Sequence, residues 1–369
     1  MKYRKELEKA IEYASRTGNF SKINMCRNAK NVCVFGLGTF FNEAFYHYDM
    51  KERLGVNLLS DNNSEKWGKE MDGVLCVSPQ ELMNYEDLVV IPLIGSNAIK
   101  KVENQFESIN VSVIRAEDIF FEMISEMSQN TEWFKTNDIL NVYDMLDDQE
   151  SRRIYSNVIC NRIAPHYARY SFWEMYSEGE YFEPGFYHLS DDESFVDCGA
   201  YTGDTVYRFL DAVKGKYDSI YAFELAKENY SRLVKNIGGM NKVFLYNMGV
   251  WDENTSIDYG KEKDGLEESF SILKSDNSTE GKVVRLDDIL EGKKVSLIKM
   301  DIEGAELNAL MGAEKILKEQ KPKLTICLYH KLEDLWTIPQ YIKKVVPEYK
   351  IGVRHHQYGT MSGTVLYAY

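Results

Sequence analysis

Mostly apolar runs of four to six residues recur in two stretches of the chain, and segments with helical spacing separate them. In the first stretch the runs are Val32–Phe35, Val56–Leu59, Val74–Val77, Leu88–Leu93 and Val111–Ile114. Short runs bounded by turn residues read as buried strands, and strands alternating with helices imply a parallel sheet covered on both faces. A helix through roughly Ser15 opens the chain. Ser78-Pro79-Gln80-Glu81-Leu82 supplies an N-cap, a proline at the first helical position and a helix start. From Ile119 to about Gly179 the spacing turns helical and holds too many aromatic residues for a flexible linker.

The second stretch predicts strands at Ser194–Cys198, Ser219–Phe223, Lys242–Tyr246, Val295–Met300, Lys323–Leu328, Tyr349–Val353 and Gly363–Tyr369. Helices fill the gaps after the first, second, fourth and fifth of these, and the last two strands close as a hairpin. The polar, irregular segment Trp251–Glu280 predicts a loop or small ribbon over the sheet. The expected organisation is an α/β domain over 1–117, a helical connector over 118–180 and a second α/β domain over 181–369.

Composition narrows the function classes. A length of 369 residues with 44% hydrophobic and 28% charged residues suits two globular cores. The net charge of −14 disfavours nucleic acid, which needs a basic stripe. Cys26, Cys33, Cys76, Cys160, Cys198 and Cys327 show no C-x-x-C pairing, which argues against a zinc site or a disulfide framework. No apolar stretch is long enough for a membrane span, and the charged N-terminus has no signal core. A soluble, cytoplasmic protein is expected.

The strongest motif is Phe195-Val196-Asp197-Cys198-Gly199-Ala200-Tyr201-Thr202-Gly203-Asp204. A strand delivers an acid to its end, and two glycines bracket a turn into a helix. Gly199 lets the backbone approach a ligand. Asp197 and Asp204 would attract an ammonium group and repel a pyrophosphate, which favours a donor carrying a methionine amine over a dinucleotide. Twenty-one positions beyond Gly203, Glu224 ends the next strand, where an acid accepts hydrogen bonds from ribose hydroxyls. Asn247, at the end of the third strand, lies next to the expected adenine position. Gly199, Tyr201, Gly203, Asp204, Glu224, Asn247 and Asp197 are therefore the candidate cofactor-binding residues. Strand–helix steps closing in a hairpin fit a seven-stranded class I methyltransferase sheet, Rossmann-like, better than a plain dinucleotide-binding sheet.

The segment Val295 to Glu306 ends a strand in a carboxylate cluster. With Asp197–Asp204 before it and Pro322–His330 after it, residues 181–369 resemble the FkbM family of methyltransferases. The signature residues stand as Lys299, Asp301, Glu303, Gly304 and Glu306, and the tyrosine–histidine pair as Tyr329 and His330. The resemblance implies S-adenosylmethionine as cofactor and O-methylation of a hydroxyl, most often on a sugar or glycan acceptor or a polyketide. Asp301 and His330 both fall at carboxyl ends of strands, where ligands bind in open α/β sheets, so either could serve as base. Asp301, Glu303 and His330 are the catalytic candidates, or could instead hold a divalent metal. Glu306 reads as a first-turn helix acid favoured by the macrodipole. His355 and His356 suit a structural or a substrate-contact role equally. Tyr181-Phe182 could cover the donor, although aromatic packing accounts for the pair.

In the first domain, Gly36-Leu37-Gly38 is followed by Thr39-Phe40-Phe41, so Phe41 stands where a dinucleotide fingerprint needs its third glycine. The alternative function is an oxidoreductase or epimerase using NAD at that turn. The stretch from Ser60 to Lys69, with Ser78-Pro79, is similar to Rossmann-like domains that precede some bacterial sugar-modifying acyltransferases. That likeness implies a nucleotide-sugar or partner-binding role.

Overall fold

A computed structural model describes residues 2–17, 21–38, 41, 44–46, 48–94, 96–107, 111–116, 119–120, 122–123, 136–164, 168–170, 172–261, 270–272, 279–357 and 362–369. The expected domain end at Glu117 and the residues Thr39 and Phe40 lie outside them.

The first sheet is built from β1 (Asn31–Phe35), β2 (Leu58–Ser60), β3 (Glu70–Met71), β4 (Val74–Val77), β5 (Leu88–Pro92) and β6 (Ser112–Val113), in the order β3-β4-β2-β1-β5-β6. All neighbours run parallel except β3 and β4. The chain moves outward from β1 in both directions, which creates a topological switch point between β1 and β5. Ser78 starts only a short 3₁₀ turn, Glu81–Asn84, instead of a longer helix. The Ser78 amide donates to Glu81 Oε2 and the Glu81 amide donates to Ser78 Oγ. That reciprocal cap closes one turn, and Leu82 is its sole buried residue, so no apolar face continues it.

The second sheet has seven strands in the order β16-β17-β15-β14-β7-β8-β9. They are β7 (Ser194–Cys198), β8 (Ser219–Phe223), β9 (Val243–Tyr246), β14 (Leu297–Met300), β15 (Lys323–Cys327), β16 (Ile351–His355) and β17 (Thr364–Ala368). β17 is antiparallel to both neighbours, and the other pairs are parallel. Alternation along each strand feeds two cores. Val196, Phe223, Ile298 and Ile326 face one, while Phe195, Ala222, Leu297 and Cys327 face the other. Between the third and fourth strands of this sheet, β10 (Gly249–Val250), β11 (Thr255–Lys261), β12 (Phe270–Ile272) and β13 (Thr279–Val284) form a separate ribbon, ordered β10-β13-β11-β12.

The helices around the connector pack into this second sheet's core. Helix Lys2–Thr17 buries Leu7, Ala10, Ile11 and Ala14, at helical spacing, in the same core as Ile154, Tyr155, Val158 and the strand residues Ile298 and Leu324. Helix Gln149–Ile163 is capped by Asp148, which accepts from the Ser151 amide. Ser151 Oγ accepts the Val353 amide of β16 at 2.9 Å. Leu146 and Tyr176 extend the β16 edge through single bridges to Ile351 and His355. Among the described residues no helix is long and apolar enough to cross a membrane.

Leu7 tests this arrangement. Leu7→Ala removes a fully buried side chain and should cost about 2–5 kcal/mol in urea unfolding of the seven-stranded unit. A loss under about 1 kcal/mol would place the first helix outside that core.

Candidate active site

β7 and β14 run side by side with Asp197 opposite Lys299 and Cys198 opposite Met300. Lys299 Nζ lies 3.0 Å from Asp197 Oδ1, with side chains 2% and 0% exposed. The same ammonium donates to Gly199 O at 2.7 Å and Cys198 O at 3.3 Å. Burial pushes the Asp197 carboxyl up to about 6 against the pull of Lys299. Burial pulls the Lys299 ammonium down, but Asp197 and Asp301 outweigh it and hold it above its ordinary value. The pair is therefore ionised at neutral pH.

Gly199 follows at a φ of +78°, and a Cβ there would sit 1.9 Å from Asp301 O. No other residue fits between the two strand ends. Gly203, at a φ of +93°, turns the chain into helix Asp204–Ala212. The Tyr201 amide donates to Glu224 Oε2 at 2.9 Å and the Ala226 amide to Oε1 at 2.8 Å. Burial nevertheless pushes the Glu224 carboxyl up to about 7. Asn247 Nδ2 donates to the carbonyls of Glu224 and Leu225 at 2.9 and 3.0 Å, so it braces the loop after β8.

At the carboxyl ends of β7, β8 and β14 lies a cavity of about 560 Å³. Gly199, Tyr201, Asp204, Glu224, Asp301 and Glu303 line it, as do Tyr181, Arg208, Trp251 and Tyr329. Asp197, Gly203, Asn247 and His330 are not among its lining residues. Asp197 spends its charge on Lys299, not on the cavity.

Asp301 is held on both oxygens. Tyr181 OH donates to Oδ2 at 2.8 Å and Tyr329 OH to Oδ1 at 2.9 Å. Its side chain is 24% exposed, whereas His330 is 10% exposed and Glu306 is fully buried. His330 Nδ1 is 2.8 Å from Glu306 Oε1, and Nε2 is 3.4 Å from Asp301 Oδ1 and 3.6 Å from Glu303 Oε2. Burial would lower the His330 imidazole, but Glu306, Asp301 and Glu303 raise it to about 9. Burial opposes ionisation of Asp301 as well, yet Lys299 and His330 hold its carboxyl below the ordinary range. Ligand atoms of Asp301, Glu306 and His330 fall within 4.8 Å of one another. That spacing would suit a cation, which would compete with a proton for the imidazole nitrogens.

Sequence reasoning left Tyr181 to aromatic packing and Glu306 to the helix dipole. Tyr181 instead sits at a φ of +68° with its hydroxyl on Asp301. Phe182 does pack as an aromatic, 5.9 Å from both Phe195 and Phe209. His355 and His356 are structural. His355 Nδ1 meets Thr364 Oγ1 at 3.0 Å, and His356 is held between Ser177 O and Tyr367 OH. Burial pushes His356 down to about 4.

In the first domain the Leu37 amide donates to Asp61 Oδ2 at 2.7 Å, and Lys66 Nζ bonds both Leu37 O and that same carboxylate oxygen. Phe41 is buried against Phe45 at 4.7 Å. The Leu37 amide, which a pyrophosphate would need, is thus already engaged.

Residues 197–349 match the sequence model of the Methyltransferase FkbM domain family. No curated protein matches the chain in sequence. Among solved structures, the methyltransferase FkbM of Methylobacillus flagellatus KT is similar over the whole fold, with a TM-score of 0.78 and 22% identity, covering 100% of this chain and 99% of that one. An rRNA methylase from Streptococcus thermophilus is 17% identical over 49% of this chain and 87% of its own, at a TM-score of 0.32. Fibrillarin of Aeropyrum pernix, with natively bound S-adenosyl-L-methionine, is 13% identical over 50% of this chain and 70% of its own, at 0.33.

The buried pair makes a pH-dependent forecast. Asp197 has a folded value of about 6 against an ordinary 3.8, so the stability linked to it is full below 3.8 and is lost as pH rises through about 6. Lys299→Met removes the counter-charge and moves that folded value further up. A loss of about 3–5 kcal/mol is expected near pH 8, shrinking near pH 5 as Asp197 takes a proton. Urea unfolding at both pH values checks this, and equal losses would show that Asp197 does not depend on Lys299.

Proposed function

From a chain that carries a methyltransferase domain of the FkbM family at residues 197–349, we propose an S-adenosylmethionine-dependent O-methyltransferase whose acceptor is a sugar or glycan hydroxyl. The observation that carries this reading is Asp301. It is an ionised carboxylate on the wall of the cavity, oriented by two phenols, adjacent to the glycine turn.

The cavity's chemistry fits the donor. Its volume of about 560 Å³ is within the ordinary range for small-molecule sites. Glu224, at the end of β8, is the acid that would take the ribose hydroxyls, and the turn Gly199–Asp204 would lie along the amino-acid portion. Asp197 supports that turn through Lys299. Bound there, S-adenosylmethionine supplies an electrophilic methyl group.

The chain's own residues then have two tasks. Asp301 accepts the proton of the attacking hydroxyl while Tyr181 and Tyr329 keep the carboxylate in place. Glu303 and Arg208 both line the cavity, the guanidinium held by Glu180, and other hydroxyls of the acceptor would meet them there. Tyr181, Tyr201, Trp251 and Tyr329 offer aromatic faces, a mixture that suits a ring with apolar faces and polar edges. Lys299 pairs with Asp197, and His330 lies against Asp301, Glu303 and Glu306; this reading uses no metal. The first domain, 1–117, is read as the part that positions the acceptor or a partner.

Glu224→Ala should weaken S-adenosylhomocysteine binding in calorimetry by roughly 1.5–3 kcal/mol if the ribose bonds are charge-assisted. Unchanged affinity in a folded variant would remove Glu224 from the donor site. For the transfer step, a panel of monosaccharides and nucleotide sugars is incubated with isotopically labelled S-adenosylmethionine and examined by mass spectrometry. On a methylated acceptor, Asp301→Asn should lower kcat by about 10²-fold or more with donor affinity nearly intact. Near-normal turnover would sink Asp301 as the proton acceptor.

A further inference from the structure

Glu306 occupies the first turn of helix Glu306–Met311 and is 0% exposed. A first-turn acid gains only about 0.3–1 kcal/mol from the helix dipole at a surface, whereas a buried carboxylate costs several kcal/mol unless it is paired. The dipole therefore does not explain this burial. Oε1 accepts the Ile302 amide at 2.9 Å and lies 2.8 Å from His330 Nδ1. Oε2 has no hydrogen-bond partner among the described residues. Glu306 is thus paired at ion-pair distance with the His330 imidazole.

Nδ1 meets Glu306 as an ion-pair contact outside hydrogen-bond geometry, and the far nitrogen of the ring faces Asp301 Oδ1 and Glu303 Oε2. Other charged groups lie close by, and burial together with Glu306 pushes the Asp334 carboxyl up to about 7. Asp334 accepts the Lys331 amide at 3.2 Å, Lys331 Nζ donates to Gly304 O at about hydrogen-bond contact, and Arg162 Nη2 donates to Tyr329 O at 3.0 Å.

We infer that Glu306 is a positioning residue for methyl transfer, orienting His330 so that the imidazole in turn fixes the Asp301 carboxylate on the cavity wall. This rests on the reading of Asp301 as proton acceptor. The relay is ordered from the core outward: Glu306 is buried, His330 nearly so, and Asp301 reaches the cavity.

The test follows the His330 ring by NMR in the full chain, beside S-adenosylhomocysteine calorimetry. Glu306→Gln should lower the His330 titration midpoint by about one pH unit or more, leave S-adenosylhomocysteine affinity within about twofold, and lower kcat by about tenfold or more with KM little changed. Glu306→Asp, which keeps the charge on a shorter arm, should recover part of the midpoint. In a His330→Gln background the Glu306→Gln change should add no further loss of turnover. An unmoved His330 midpoint in Glu306→Gln overturns the inference, as does a fully additive loss in the double variant. If Glu306→Gln does not fold, the midpoint in Glu306→Asp decides by the same criterion. Failure of every acceptor in the panel would tell against the sugar reading alone, because the His330 midpoint needs no acceptor.

Discussion

Lys299 places an ammonium between the ends of two parallel strands, with its side chain only 2% exposed. A buried cation is tolerable only if its neighbours supply charge and lone pairs together. Asp197 supplies the charge from the facing register position, and the carbonyls of Cys198 and Gly199 supply the lone pairs. One side chain of β14 thereby pins the turn that leaves β7. The close approach of Gly199 to Asp301 O completes the same seam from the backbone side. The glycine turn and the carboxylate cluster are therefore one unit, and neither can shift without uncovering a charge.

How far the sequence alone could reach follows from what each signal measures. A strand buried on both faces writes itself as an apolar run, and β7, β8 and β14 fall where such runs predict. The hairpin of β16 and β17 was likewise legible from the missing helix between two runs. An amphipathic helix shows that it has an apolar face but not which core receives it. Helix Lys2–Thr17 thus reads naturally as part of the nearest sheet in sequence, yet its leucine and isoleucine meet Tyr155 and the distant strand residue Leu324 in one core.

The site divides in the same way. That Glu224 and Gly199 share one cavity was legible because spacing within one βαβ unit fixes their placement. Asp197 was legible as a strand-end acid, but its partner lies on another strand about a hundred residues on, so its burial and pairing were not. Tyr181 reaches Asp301 only because the chain before β7 takes a left-handed backbone angle there. No local pattern marks that angle in a tyrosine. Glu306 looked like many helix-capping acids until its depth was known.

These contacts bear on where the rate acceleration would come from. The groups that keep Asp301 ionised also make it a weak base, because every cation and phenol facing it stabilises the charged form. Base catalysis by such a carboxylate belongs at the low end of about 10²–10⁴-fold, because its match to the hydroxyl is poor. Alignment of reacting groups can contribute roughly 7–11 kcal/mol and does not depend on basicity. Two phenols and an imidazolium on a single carboxylate are a large commitment of polar groups to one orientation. That commitment makes sense if the carboxylate's main task is to aim the acceptor oxygen, with proton uptake following as the C–O bond forms and the methyl–sulfur bond would break to release the thioether.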